Sequence, residues 1–246
     1  IATMAGAHLP LIQQLADLGC RRFFVEKPIV NTARDALALE RLALERGLCI
    51  KVNHFRHWLP DYAACRDEIR RRPWGALRHA EARFKPKGIG HMGTHFLAAI
   101  LDLTASRVTR VTAASLDLSE AAFDKAGCKD FNGRIDGCLD HGATFSIASA
   151  QHAHGGRADY IALAFEGGEL HLHDHLQIRM TRDYAAGRDA EQSLQCPWME
   201  PADWAEAFPA LLDRAFHDLM EHRADGNFTN ALDSACTVIA AQLAFE

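Results

Sequence analysis

The chain has 246 residues, 48% apolar and 24% charged, with a net charge of −5. That is enough for one large domain or two small ones, of ordinary globular composition. The negative balance argues against a nucleic-acid surface, and no apolar run reaches membrane-spanning length.

Residues 1–3 read as the end of a buried strand already under way, so the chain is expected to be part of a longer one. "HLPLIQQLADLG" then places Leu9, Ile12, Leu15 and Leu18 at helical spacing and closes at Gly19. "RRFFVEKP" is a short apolar strand stopped by Pro28. Thr32 in "TARD" has the form of a helix N-cap. The helix it opens carries Ala36, Leu39, Leu42 and Ala43 and stops at Gly47, and "LCIKVNHF" is the next strand. The order β-α-β-α-β predicts parallel strands covered by helices, with the strands' carboxyl ends along one edge. Ligands bind at that edge in open α/β sheets. It carries Thr3, then Glu26-Lys27-Pro28, then Asn53 to Arg56.

After residue 60 the pattern changes. "PDYAACRDEIRRR" reads as a helix whose Arg70–Arg72 run is a solvated face. "ALRHAEARFK" alternates like a half-buried strand, residues 94–104 form a helix, and "RVTRVTAASLDL" is a strand. "DHGATFSIASAQH", "YIALAFE" and "GELHLHDHLQIRMT" are strand-like runs between Gly-rich turns. "WAEAFPALLDRAFHDLMEH" and "TNALDSACTVIAAQLAF" close the chain as helices. The fold class is α/β plus α+β: the tail of a doubly wound domain, then a domain with a mostly antiparallel open sheet of five or six strands. Seven scattered cysteines, odd in number and without C-x-x-C, read as free thiols of a reducing cytoplasm, and no secretory signal is visible.

"GIGHMGTHF" at 88–96 spells G-x-G-x-x-G between a strand and a helix, the form of a phosphate-binding turn. The preceding strand, however, is polar at alternate positions, whereas a first Rossmann strand is buried on both faces. Pro86 also interrupts it. Gly88 and Gly90 fit better as a turn that lets the backbone pass close to a substrate pocket.

"EKP" at 26–28, "VNHFRHWLP" at 52–60 and "GIGHMGTH" at 88–95, in that order, together with the closing helices, resemble the Gfo/Idh/MocA family of NAD(P)-dependent sugar and inositol oxidoreductases. The resemblance covers nearly the whole chain. It implies that residues 1–58 are the last portion of a Rossmann domain, with the phosphate-binding glycines upstream of Ile1. Residues 59–246 would then be an α+β domain for substrate binding and oligomerisation. It implies NAD or NADP as cofactor, with the residue that chooses between them upstream of Ile1. The substrate would be a sugar, nucleotide sugar or polyol. A homo-oligomer, dimer or tetramer, would form through the open sheet, with no nucleic-acid or membrane partner.

Oxidising a secondary alcohol needs a hydride acceptor and a group that takes the hydroxyl proton. His95 matches the family's catalytic histidine, at a helix start that favours its neutral form. Lys27 matches the E-K-P lysine, a cation able to hold the reacting oxygen and to contact the nicotinamide region. His91 stands where the family usually has Asp, and Ala98 where an Asp often follows. His91 and His95 share a helical face, so both are expected at the pocket, His91 as a catalytic or substrate-binding group. Its presence leaves open a different substrate or a non-catalytic sugar-binding or assembly module that kept the fold. Thr3, His8, Glu26, Lys27 and Pro28 are expected around the cofactor. Asn53, Arg56 and His57 are expected at the substrate, Arg56 gripping a carboxylate or phosphate or else tying the domains together.

His152 and His154 precede a turn, and His171, His173 and His175 alternate along a strand, facing one side. Three imidazoles could hold zinc or nickel, but ligands two apart on a flat strand do not converge readily and no cysteine is near. A polar sheet face is the simpler reading, and no metal site is expected.

Overall fold

Two sheets organise the molecule, and one helix packs into the core of both. The computed structural model describes residues 1–71, 74–125, 128–149, 159–173, 177–183, 193–194, 204–222 and 225–244. Helix α1 (His8–Asp17) buries His8, Ile12 and Ala16, the stripe that spacing of four generates. Strand β1 (Arg22–Val25), helix α2 (Ala33–Arg46) and strand β2 (Cys49–Val52) follow, and β1 and β2 pair in parallel. The Thr32 hydroxyl accepts from the Asp35 N–H at 3.1 Å to start α2, and Gly47 ends it at φ 59°. Ile1 lies outside any strand yet runs along β1: its amino group donates to the Phe24 carbonyl, and its carbonyl accepts from the Glu26 N–H. Ile12, Val25, Leu39 and Val52 form the centre of this unit and are fully buried.

Helix α3 (Pro60–Arg71) leads to β3 (Leu77–Phe84), α4 (Thr94–Thr104), β4 (Val108–Lys125) and β5 (Cys128–Leu139). β6 (Thr144–Ser149), β7 (Tyr160–Phe165), β8 (Gly168–His173), β9 (Gln177–Asp183) and β10 (Ser193–Leu194) complete a sheet in the order β10-β9-β8-β7-β3-β6-β5-β4. Only β3 and β6 run parallel; the other neighbours are antiparallel. Among the described residues the sheet therefore has eight strands rather than five or six. "GELHLHDHLQIRMT" splits into β8 and β9. β5 was not legible because Gly133 and Gly137 interrupt it and its outward positions are polar.

Helix α4 is buried on nearly every face because α3, α6 and the sheet all pack on it. Helices α5 (Trp204–Met220) and α6 (Asn227–Leu243) close the chain. In α6, Ala231, Leu232, Ala235 and Ile239 join the β1/β2 core, while Val238 and Ala241 join the core under the large sheet. The last helix thus packs against both β2 and α4, with the Asn227 side chain bonded to the Val52 backbone at the end of β2. Among the described residues no helix is long and apolar enough to cross a membrane.

Candidate functional site

Lys27 follows the carboxyl end of β1, in a turn set by a cis Lys27–Pro28 peptide. Its ammonium crosses to the turn that opens α4. Nζ donates to the His91 carbonyl at 3.0 Å and lies 3.0 Å from His91 Nδ1. Nζ also lies 3.4 Å from His91 Nε2. Burial lowers the Lys27 pKa to about 8, against the opposing charges of Glu26 and Asp130, with Arg56 pushing the same way as burial. Burial and the charges of Lys27 and Lys87 lower His91.

The G-x-G-x-x-G turn does hold an anion, and it belongs to the chain itself. Asp130 on β5, only 4% exposed, accepts from the Gly90 N–H (2.9 Å) and the Phe131 N–H (2.9 Å) with Oδ1, and from the His91 N–H (2.6 Å) with Oδ2. A side chain at Gly88, whose φ is +88°, would place Cβ 2.0 Å from Asp130 Oδ2. Glycine is needed there both for the backbone angle and for the approach of the carboxylate. Burial raises the Asp130 pKa, opposed by these N–H groups and by Lys27.

His95, on the first turn of α4, is buried. Its Nδ1 lies 3.3 Å from Nδ1 of His54, the two rings meeting edge to face. Burial, then the charges of His54, Lys27, Arg56 and His91, hold His95 well below 6.5. Burial, Lys27, Arg56 and His57 push His54 down to about 3. Arg56 lies 4.8 Å from the ring centre of Phe55 and 4.1 Å from that of Phe96, with a further hydrogen bond between the Arg56 and Tyr62 side chains. The rings seat the guanidinium by cation–π contact.

The remaining expected residues fall into two groups. Glu26 and Asn53 meet at the shared edge of β1 and β2, where Asn53 Nδ2 donates to Glu26 Oε1 at 2.7 Å. His8 lies beneath that edge, fully buried, with Nδ1 3.0 Å from the Ile29 carbonyl and Nε2 3.0 Å from the Thr3 carbonyl. It fastens the Thr3 loop and the loop after Pro28 instead of offering a ring nitrogen to a ligand. Both nitrogens of His57 are taken by carboxylates: Nδ1 is 3.0 Å from Asp102 Oδ1 and Nε2 is 3.0 Å from Asp225 Oδ2. Arg66 also holds Asp102, and Lys51 holds Asp225. Burial lowers His57, but the hydrogen bonds and charges of the two aspartates outweigh it and carry the pKa up to about 9.

Lys27, His91 and His95 therefore gather at one place, with Glu26, Asn53 and Arg56 around them. Two participants were not singled out from sequence. His54 lies inside the marked 53–56 strand end. Asp130 had no local signal, since it reaches the turn from another strand. His171 faces Glu169, Nε2 to Oε2 at 3.1 Å; the side chain of His173, and His152, His154 and His175, lie outside the described residues.

No family model and no curated protein matches this chain. Solved structures do share its fold. UDP-N-acetylglucosamine 3-dehydrogenase from Acidithiobacillus ferrooxidans is 16% identical with a TM-score of 0.72, over 98% of this chain and 76% of that one. An oxidoreductase from Sinorhizobium meliloti is 16% identical with a TM-score of 0.78, over 98% and 75%. An oxidoreductase from Agrobacterium radiobacter, solved with NAD+, L-tartaric acid and magnesium, is 15% identical with a TM-score of 0.68, over 98% and 75%. At such identities the likeness is one of fold.

Proposed function

We propose that this chain belongs to an oxidoreductase of the Gfo/Idh/MocA type, moving a hydride between NAD or NADP and a CH–OH group of a sugar, nucleotide sugar or polyol. The observation that carries the reading is the convergence of Lys27 from the end of β1 with His91 and His95 from the start of α4. Three oxidoreductases of the same fold support it.

The donor set fits the nicotinamide end of such a cofactor. Lys27 stands at the end of β1, and Glu26, Pro28 and Thr3 line the edge where the nicotinamide would be held. The glycine turn at 88–93 does not fit the phosphates, because Asp130 fills it. When bound, the nicotinamide supplies the hydride acceptor. The chain's own residues handle the proton. Their roles divide differently from the expectation that His95 is the acid–base. A base works best with a pKa near the operating pH. His95 is held far below neutrality and Lys27 sits at about 8. In oxidation, neutral Lys27 Nζ takes the hydroxyl proton while the C–H hydride leaves and the C–O bond becomes a carbonyl. His95 flanks the reacting oxygen as a neutral imidazole.

The test is absorbance at the reduced-nicotinamide band with a panel of sugars, nucleotide sugars and polyols, using protein expressed from its own gene. Turnover that falls at least ~100-fold in Lys27→Met supports the reading, the size expected for a lost proton-transfer group. A Lys27→Met variant that keeps turnover overturns it. Ligand binding without any redox change returns the non-catalytic sugar-binding module.

A further inference from the structure

A small cavity of about 10 Å³ is lined by His54, Arg56, His57, Ala98, Asp102 and Asn230 among others. That is about the space one water molecule needs. Two of its lining residues carry a buried nitrogen that has no hydrogen-bond partner among the described residues: His54 Nε2 and Arg56 Nη1. Buried polar atoms are nearly always paired, with protein or with ordered water. One water in this cavity would meet both.

The direction of the bonds then follows from what each group can do. Arginine only donates. A water that accepts from a cation becomes a stronger donor through its own hydrogens. The 3.3 Å contact between the two Nδ1 atoms needs one proton, carried by one ring and accepted by the other. We propose that the cavity holds one ordered water that accepts from Arg56 Nη1 and donates to His54 Nε2, so that His54 Nδ1–H donates to His95 Nδ1 and His95 carries its proton on Nε2. The inference rests on the oxidoreductase reading only for what His95 then does. No proton changes owner along this chain of hydrogen bonds. Its effect is to present a polarised Nε2–H to the oxygen that gains negative charge as the hydroxyl proton passes to Lys27. A neutral imidazole is an effective donor where the imidazolium is disfavoured, and burial beside Lys27 and Arg56 disfavours it here. His54 and Arg56 are positioning residues, acting on the substrate through His95.

The experiment is long-range ¹H–¹⁵N correlation NMR on the ¹⁵N-labelled protein without substrate, which reads the tautomer of each histidine. The expected result is His54 protonated at Nδ1 and His95 at Nε2. His95 protonated at Nδ1 overturns the inference. Arg56→Met should shift both rings toward the other tautomer, and Arg56→Lys, which restores a donor, should shift them back. Rings unmoved by Arg56→Met overturn the water bridge. Turnover separates the two proposals. If Lys27→Met abolishes turnover while His95 proves to be the Nδ1–H tautomer, this inference falls and the oxidoreductase reading stands. If no hydride transfer occurs, the reading falls and the tautomers still decide the hydrogen-bond chain.

Discussion

Raising the pH from 6.5 to 8 should remove the stabilisation that His57 contributes, because His57 is charged in the folded state over a range where it is neutral in the unfolded chain. The folded pKa is about 9 against an ordinary 6.5. A raised pKa means stability that is complete below pH 6.5 and lost as pH climbs through about 9. Each pH unit in that window removes about 1.4 kcal/mol, so the full shift corresponds to about 3 kcal/mol. The His57 side chain is 10% exposed, so solvent screening reduces this little. Between pH 6.5 and 8 the His57 contribution should fall by about 2 kcal/mol, while His54, His91 and His95, lowered and so held neutral in the folded state, lose an opposing penalty over the same range. Lys27, lowered to about 8, adds a further opposite dependence toward the top of that window. Urea unfolding at three pH values measures the slope. His57→Gln should be less stable at pH 6.5, by a margin that shrinks toward pH 8, since Arg66 and Lys51 then face Asp102 and Asp225 alone. A margin between the wild type and His57→Gln that stays constant or grows from pH 6.5 to 8 would refute the ion-pair assignment. A variant of unchanged stability with a raised KM would return His57 to the substrate.

Three further outcomes follow from the site. Oxidation should rise with pH through about 8, as Lys27 loses its proton, and reduction should fall; pH–rate profiles in both directions check this. Asp130→Asn removes a negative charge that supports the Lys27 proton, so the same limb should move to lower pH; an unmoved limb would show that Asp130 does not act on Lys27. Gly88→Ala should cost more than about 2 kcal/mol, from its positive φ and from a Cβ driven against a carboxylate that three N–H groups hold in place; thermal unfolding measures it.

Much of the fold was legible from local pattern. Thr32 and Gly47 bracket α2 as capping chemistry predicts, and the β-α-β order implied the parallel pairing of β1 and β2. Lys27 could be marked because a Pro-stopped strand end in an open α/β sheet faces the ligand edge. His95 and Arg56 were marked by spacing and by resemblance. The glycine turn could be doubted from the polar alternation of β3 before it. Strand β5 escaped because Gly133 and Gly137 weaken the strand signal. α6 could be read as a helix, but not as a helix that packs into both cores.

The sequence by itself determined the helices, the parallel unit and the residue types gathered near the strand ends, because periodicity, caps and turns depend on neighbours in the chain. Only the tertiary structure decided what those residues do. Asp130 lies 40 positions from Gly90 and fills the turn that spelled a phosphate cradle. His57 is separated by 168 positions from Asp225, which with Asp102 takes both of its nitrogens. His54 lies 41 positions from the ring it touches. Charge state and hydrogen-bond direction are set by burial and by partners brought together across such distances, and one-dimensional spacing carries neither.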